Sequence, residues 1–134
     1  MSSPASLSEL IDAAREVAKQ AYAPYSKFRV GAAVRGTSGS LHVGCNVENA
    51  SFGLTCCAER NAVFAAVAAG ETRLTHVVLY TPTQEPTAPC GACRQVLAEF
   101  GSDIQVLSLC DGPERIETTV AALLPHPFGP GALA

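Results

Sequence analysis

The chain has 134 residues, of which 48% are hydrophobic and 16% are charged, and its formal net charge is −3 at pH 7. This length predicts a single domain over residues 1–134 with enough apolar side chains for a sizeable core. The slightly acidic balance and the lack of any Lys/Arg cluster argue against a nucleic-acid partner, because neutralisation of the phosphate backbone supplies most of that affinity.

The sequence also argues against membrane insertion and against a disulfide scaffold. Its N-terminal segment has no apolar run of signal-peptide length, and no stretch approaches the roughly 20 apolar residues that span a bilayer. We therefore expect a cytoplasmic protein with no membrane partner. Six cysteines are present, but a chain with this apolar content does not need disulfides to fold.

The first elements in chain order are a helix and a hairpin. Apolar residues at three- and four-residue steps predict an amphipathic helix over residues 7–21, and Pro24 follows its end. Residues 28–34 and 41–46 then predict two strands, which the Gly- and Ser-rich turn 36–40 joins into a hairpin.

The second half of the chain alternates between helices and strands. The predicted elements are helix 58–69, strand 76–80, helix 91–100, strand 104–109, strand 115–118 and a short helix 120–124. A hairpin followed by this alternation implies an α/β fold, in which helices cover the faces of a mixed sheet.

A C-x-x-C pair stands at the start of the second long helix of this half. Cys90 and Cys93 would project from one helical turn, and the N-terminal helix dipole lowers the pKa of such thiols. The pair is typical of a metal clip, but a redox dithiol or two ordinary buried thiols would explain it equally well.

A second motif favours the metal. Cys57 also precedes a predicted helix, and Glu59 follows it after one residue, so that the chain contains C-x-E and later P-C-x-x-C. Zinc deaminases carry this combination. Three cysteine ligands leave the fourth tetrahedral position to water, which is typical of a catalytic zinc ion. Glu59 would then carry the proton from that water to the ring and the leaving amine.

The remaining cysteines and the histidines are weaker ligand candidates. Cys56 adjoins Cys57, and neighbouring side chains diverge, whereas Cys45 and Cys110 suit small core positions. We expect the histidines to be surface or packed residues, namely His42, His76 and His126.

Arg60 is the expected partner of the thiolates. A divalent zinc ion with three thiolates has a net charge of −1, which weakens its ability to acidify bound water. Arg60 follows the glutamate directly and could hydrogen-bond a ligand sulfur. The alternative for this residue is a solvent-facing position on the helix.

With these residues in place, the chain resembles the cytidine deaminase family, in its short form with three cysteine ligands. The resemblance covers nearly the whole chain in order. Its motifs are 24–28 (PYSKF), 30–33 (VGAA), 44–50 (GCNVENA), 57–60 (CAER), 89–95 (PCGACRQ) and 123–125 (LLP) with Phe128.

The resemblance implies a fold and a reaction. The fold is a three-layer α/β/α sandwich around a mixed five-stranded sheet. The reaction is the zinc-dependent hydrolysis of cytidine and deoxycytidine to uridine and deoxyuridine plus ammonia, in pyrimidine salvage. One zinc ion per subunit would supply the water that attacks C4, with Glu59 as the proton shuttle.

The resemblance also implies a substrate site. Asn46 and Glu48 would hydrogen-bond the ribose, and an amide with a carboxylate can satisfy a sugar diol. Phe28 and Phe128 would pack around the base, and the backbone of Ala58 would meet the base oxygen. From the residues alone, a strand-end turn for Asn46 and core packing for the two phenylalanines remain open.

Family members of this type are homotetramers with shared active sites, to which Ala50, Phe52 and Phe128 would contribute here. Phe52 departs from the tyrosine that the family often has, which removes a hydroxyl near the sugar. The alternatives are a blasticidin-type deaminase, which lacks the glutamate at Glu48, and a structural zinc module, which would need a fourth ligand and have no use for Glu59.

Overall fold

The computed structural model describes residues 3–133. The helices are α1 (Leu7–Val17), α2 (Ala58–Ala68), α3 (Gly91–Ala98) and α4 (Val120–Leu123), and the strands are β1 (Gly31–Gly36), β2 (Leu41–Cys45), β3 (Leu74–Tyr80), β4 (Gln105–Leu109) and β5 (Ile116–Thr119). Short 3-10 turns cover Ala18–Gln20, Phe52–Leu54 and Pro130–Leu133. Within residues 3–133, no helix combines the length and apolarity that crossing a bilayer demands.

The five strands form one sheet in the order β2-β1-β3-β4-β5. Strands β3 and β4 run parallel, whereas the other neighbours are antiparallel, so the sheet is mixed. Alternate residues of each strand face opposite sides. Ala33 and Val78 pack against α1, whereas Ala32 and Val77 pack on the side of α2, α3 and α4. The predicted three-layer α/β/α sandwich is confirmed.

Helix α1 begins with a capping box. The Ser6 Oγ accepts a hydrogen bond from the Glu9 backbone at 3.1 Å, and the Glu9 carboxylate accepts one from the Ser6 N–H at 3.2 Å. These bonds satisfy two N–H groups that have no acceptor within the helix. The helix ends at Val17, and the 3-10 turn Ala18–Gln20 completes the predicted helical segment 7–21.

The predicted strand 28–34 is wrong in its first half, because β1 begins only at Gly31. Before Gly31, the backbone bonds the side-chain amide of Asn46 instead of a neighbouring strand. Its Nδ2 donates to the Phe28 carbonyl at 2.7 Å, and its Oδ1 accepts from the Val30 N–H at 2.9 Å. A side chain thus satisfies the backbone groups of this segment, which therefore has no need of a neighbouring strand.

Gly44 of β2 permits the close approach of α2. A Cβ at this position would lie 2.3 Å from the Ala62 nitrogen and 2.7 Å from the Ala58 carbonyl oxygen. The Asn61 Nδ2 also donates to the Cys45 carbonyl at 2.8 Å. This close contact fixes the position of the N-terminus of α2 on the sheet.

Candidate metal centre

Three thiols converge where α2 and α3 begin. Cys57 and Cys90 are the N-cap residues of these helices, and Cys93 lies in the first turn of α3. The Cys57 Sγ lies 3.8 Å from the Cys90 Sγ, which lies 3.4 Å from the Cys93 Sγ. All three sulfur atoms lie within 4.8 Å of one another. The structure thus brings together the residues that the sequence singled out as ligands.

The geometry of this cluster fits zinc. A tetrahedral site with zinc–sulfur bonds of about 2.3 Å holds its sulfurs about 3.8 Å apart, which is close to the observed distances of 3.8 and 3.4 Å. In the part of the chain that the structure describes, no fourth ligating side chain belongs to the group. The donor set therefore matches a site with one position open to an exogenous ligand.

The thiols differ in their ease of deprotonation. Hydrogen bonds from the Cys93 thiol and, to a smaller extent, from Arg60 lower the pKa of Cys57 to about 5, although burial opposes them. The same bond to Cys57, together with burial, raises the pKa of Cys93. Cys57 is therefore the thiol of this pair that loses its proton more easily.

Arg60 lies against this thiolate. Its Nη2 donates to the Cys57 Sγ at 3.3 Å, and its Nε is buried with no hydrogen-bond partner among the described residues. The neighbouring Cys57 thiolate raises the pKa of the guanidinium. A group of net negative charge, such as zinc with three thiolates, would complement this cation.

We expect Arg60→Ala to retain zinc but to lower zinc affinity or turnover by about 10–100-fold, the range typical of residues that hydrogen-bond a metal ligand. Competition with a chromophoric chelator measures the affinity, and initial rates at saturating zinc measure turnover. Exposed Arg115 offers the matched control Arg115→Ala. Unchanged values in both assays for Arg60→Ala would contradict the role of this contact.

Glu59 is the second residue of α2 and is only 5% exposed. Burial is the main cause that raises its pKa, and the charge of Cys57 adds to it. A carboxyl group whose pKa is raised towards neutrality exchanges protons more readily at physiological pH. Glu59 therefore has the properties of a general acid–base group beside the cluster.

A cavity of about 210 Å³ adjoins these residues. It is lined by six residues singled out from the sequence, namely Phe28, Asn46, Cys57, Ala58, Glu59 and Cys90, and by six others, namely Val30, Thr55, Leu79, Thr81, Thr87 and Ala88. A larger cavity of about 370 Å³ lies near Leu7 and strands β3 to β5, and it contains none of the predicted site residues. Of these two cavities, the smaller is therefore the candidate substrate site, because Cys57, Glu59 and Cys90 line it.

The sequence contained a signal for two of the six missed residues. Thr81 follows β3, a strand with a parallel neighbour, and ligands bind beyond the carboxyl ends of such strands. Its hydroxyl bonds Thr83 at 3.0 Å. Thr87 belongs to the Pro-rich loop that precedes Cys90. These signals mark the strand end and the loop, but the sequence spacing does not single out Thr81 or Thr87 from the neighbouring residues.

The two residues predicted to bind ribose are both buried but have different surroundings. Asn46 lines the cavity and uses its amide to bond Phe28 and Val30. Glu48 accepts hydrogen bonds from the backbone of Tyr25 and Ser26 and from the Ser26 hydroxyl, and it is not part of the cavity wall. Their contact with a sugar stays a prediction.

Three further predicted residues lie outside the cavity of their own chain. Phe52 is 75% exposed and Phe128 is 63% exposed, and Ala50 is exposed as well. The tail that carries Phe128 is attached to α3, because the Gln95 side chain exchanges two hydrogen bonds, of 2.8 and 3.1 Å, with the Phe128 backbone. Their contact with a substrate stays a prediction.

The other cysteines and the histidines lie apart from the cluster. Cys110 is buried and Cys45 is half-buried, and burial raises the pKa of the Cys45 thiol. His42 and His76 are half-buried, and His126 is exposed. Cys56, next to Cys57 in the chain, is half-buried as well, and none of these six residues belongs to the ligand group formed within the described residues.

Comparison with known proteins agrees with this site. Residues 4–108 match the family model of the cytidine and deoxycytidylate deaminase zinc-binding region. The chain is 45% identical over 121 residues to a cytidine deaminase of Sporosarcina psychrophila, with 90% of this chain and 89% of the relative covered. It is 46% identical over 121 residues to one of Halalkalibacterium halodurans, with 89% and 91% covered.

The fold comparison gives the same result. A crystal structure of cytidine deaminase from Burkholderia pseudomallei superposes with a TM-score of 0.88 at 43% identity, covering 92% of this chain and 100% of that chain. The family model spans both cysteine motifs and Glu59. The chain therefore belongs to the cytidine and deoxycytidylate deaminase family, which is defined by this zinc-binding region.

Proposed function

We propose that this protein hydrolyses the exocyclic amine of free cytidine and deoxycytidine, releasing uridine or deoxyuridine and ammonia. One zinc ion per subunit would bind to Cys57, Cys90 and Cys93. The observation that carries this proposal is the position of buried Glu59 at a 210 Å³ cavity that Cys57 and Cys90 also line. The names of the relatives, all cytidine deaminases, support the choice of base.

The residues of the chain suit this reaction. When bound, zinc supplies the Lewis acidity that makes water a nucleophile near neutral pH. Glu59 accepts a proton from the attacking water and donates it to the ring nitrogen, then accepts a second proton from the hydroxyl added at C4 and donates it to the departing amine, as a carboxyl group of raised pKa can do. Ala58 is the first residue of α2, so its N–H has no acceptor within the helix and can donate to the base oxygen.

Sugar and base contacts would come from Asn46 and Phe28, which line the cavity, and from Glu48, which lies outside its wall. Asn46 retains one amide hydrogen after bonding Phe28 and Val30, and this donor is available to a ribose hydroxyl. Glu48 is the proposed acceptor for the sugar. The Phe28 ring, which lines the cavity, offers an apolar surface for the base.

We also propose that four copies assemble and share their sites. Residues Ala50, Phe52 and Phe128 would enter a neighbour's cavity, and Phe52 lacks the hydroxyl of the tyrosine usual in the family. Exposed apolar side chains support this assembly, including Leu54 at 70% exposure and Phe64 at 51%. Light scattering should give four times the chain mass, and a monomer with full activity would refute the sharing of sites.

The proposed setting is pyrimidine salvage in the cytoplasm, with residues 1–134 acting as one catalytic domain. All six cysteines are free thiols, as is usual in a reducing compartment. One sheet receives strands from residue 31 to residue 119, which supports a single domain.

The decisive experiment follows the loss of cytosine-ring absorbance with zinc-loaded protein. Cytidine, deoxycytidine, cytosine, CMP and blasticidin S are tested as substrates. We expect turnover of the two nucleosides and little or none of the others. Turnover of CMP alone would refute the substrate class, preference for blasticidin S would favour the blasticidin-type alternative, and zinc binding without any turnover would favour a structural zinc module.

A further inference from the structure

The Ser26 hydroxyl forms hydrogen bonds with two residues proposed to contact the nucleoside, Glu48 at the sugar and Phe28 at the base. It donates to the Glu48 Oε2 and accepts a bond from the Phe28 N–H at 3.0 Å. Glu48 is the proposed sugar acceptor, and Phe28 lines the cavity. Ser26 itself is exposed and does not line the cavity.

The Glu48 carboxylate uses most of its acceptor positions within the protein. The Glu48 Oε1 accepts from the Tyr25 N–H at 3.0 Å and from the Ser26 N–H at 3.1 Å, while Oε2 accepts from the Ser26 hydroxyl. An ionised carboxylate has about four acceptor positions, two on each oxygen. One acceptor position therefore remains, on Oε2, the oxygen that accepts from the Ser26 hydroxyl.

The carboxylate is ionised when it makes these contacts. The two bonds from Ser26 are the main causes that lower the pKa of Glu48. Glu48 is also buried within the protein. An oxygen with one occupied and one free acceptor position is oriented before a ligand arrives, which reduces the entropy lost on binding.

The segment around Ser26 has a strained backbone. Lys27 has φ = 62° and is the one non-glycine residue in the described part of the chain with a positive φ. Such conformations persist where neighbouring contacts impose them. Here the Lys27 N–H bonds the Ala23 carbonyl at 3.0 Å, and Ser26 connects the turn to Glu48 and Phe28.

We propose that Ser26 is a positioning residue for the nucleoside sugar: its hydroxyl holds the Glu48 carboxylate so that the free position on Oε2 faces a sugar hydroxyl. This inference rests on the proposed function. It predicts that Ser26 acts on substrate binding through the sugar and has little influence on the chemical step at zinc.

Two other roles for Ser26 give different results. If Ser26 only folded the turn, its loss would affect every nucleoside equally, with or without sugar hydroxyls. If the sugar displaced the Ser26 hydroxyl from Glu48, removing that hydroxyl would strengthen binding. The direction of the change in KM and its dependence on the sugar therefore distinguish the three roles.

The test compares zinc-loaded wild type with Ser26→Ala on cytidine and on 2′,3′-dideoxycytidine, which lacks the 2′ and 3′ hydroxyls of the ribose and keeps only the 5′ hydroxyl. We expect the KM for cytidine to rise roughly tenfold, as loss of an oriented bond to a charged group would cause, with kcat changed less than about twofold. The dideoxy compound, measured as a substrate or as a competitive inhibitor, should bind both proteins alike. Ser26→Thr, which keeps the hydroxyl, should restore most of the affinity for cytidine.

Ser38→Ala is the matched control. The Ser38 hydroxyl likewise donates to a buried glutamate, Glu71, on a part of the chain that does not line the cavity. It should leave the KM for cytidine unchanged. An unchanged or lowered KM in Ser26→Ala, or an equal loss for the dideoxy compound, would overturn the inference. Failure of wild type to deaminate cytidine would instead refute the proposed function.

Discussion

Replacing Glu59 by glutamine should abolish deamination while leaving zinc bound. The amide keeps the size of the side chain but cannot accept a proton from water or return it to the leaving amine. Removing a general acid–base group lowers rates by about 10²–10⁴-fold. Because Glu59 stands outside the three-sulfur group, metal content should stay at one ion per chain by elemental analysis.

Glu71 provides the control for this experiment, since it is also a buried glutamate. It lies beside the β1–β2 hairpin, where its carboxylate accepts a hydrogen bond from the Ser38 hydroxyl. Its Oε1 lies 3.9 Å from the His42 Nε2. Glu71→Gln should retain turnover within about twofold, because no step of catalysis involves this group. Measurable deamination by Glu59→Gln near the wild-type rate would rule out the proposed proton shuttle.

Removal of one thiol ligand should cost the protein its metal as well as its activity. In Cys90→Ala two thiols remain, at the start of α2 and in the first turn of α3, and a pair of ligands holds zinc far more weakly than three. We expect zinc content to fall from one ion per chain to near none. Deamination should fall below detection, and added zinc should not restore it.

Cys45→Ala is the comparison variant, because Cys45 is a half-buried cysteine outside the cluster. It should retain zinc and turnover. A chelator should lower the thermal midpoint of wild type and of Cys45→Ala, since a metal that binds the native state stabilises it, but it should not affect Cys90→Ala. Full zinc occupancy in Cys90→Ala would show that the ligand assignment is wrong.

Local sequence patterns predicted most of the elements of this fold. The apolar steps from residue 7 onward predicted the start of α1, where the structure shows the Ser6–Glu9 capping box, and the alternation of helices and strands predicted the mixed sheet. Helices α2 and α3 begin at the predicted residues, Ala58 and Gly91. These features depend on neighbours within one or two turns of chain, so spacing alone reveals them.

The failure at residues 28–30 has a tertiary cause. Their composition suits a strand, but the amide of Asn46, 16 to 18 residues away, bonds Val30 and Phe28. The positive φ of Lys27 then turns the chain just before them. A contact of this kind depends on where the end of β2 lies, and local propensity carries no information about that position.

The amino-acid sequence was sufficient to predict that Cys57, Cys90 and Cys93 come together and to propose Glu59 beside them, because zinc chemistry demands particular residue types at spacings set by helix starts. It could not show that the Ser26 hydroxyl bonds Glu48, that Thr81 and Thr87 belong to the cavity wall, or that Phe52 and Phe128 are exposed and lie outside that wall. Those facts depend on how distant segments pack around β1 and β2. The close approach of α2 to Gly44 is one part of that packing, and local sequence patterns do not reveal it because the two segments are distant in the chain.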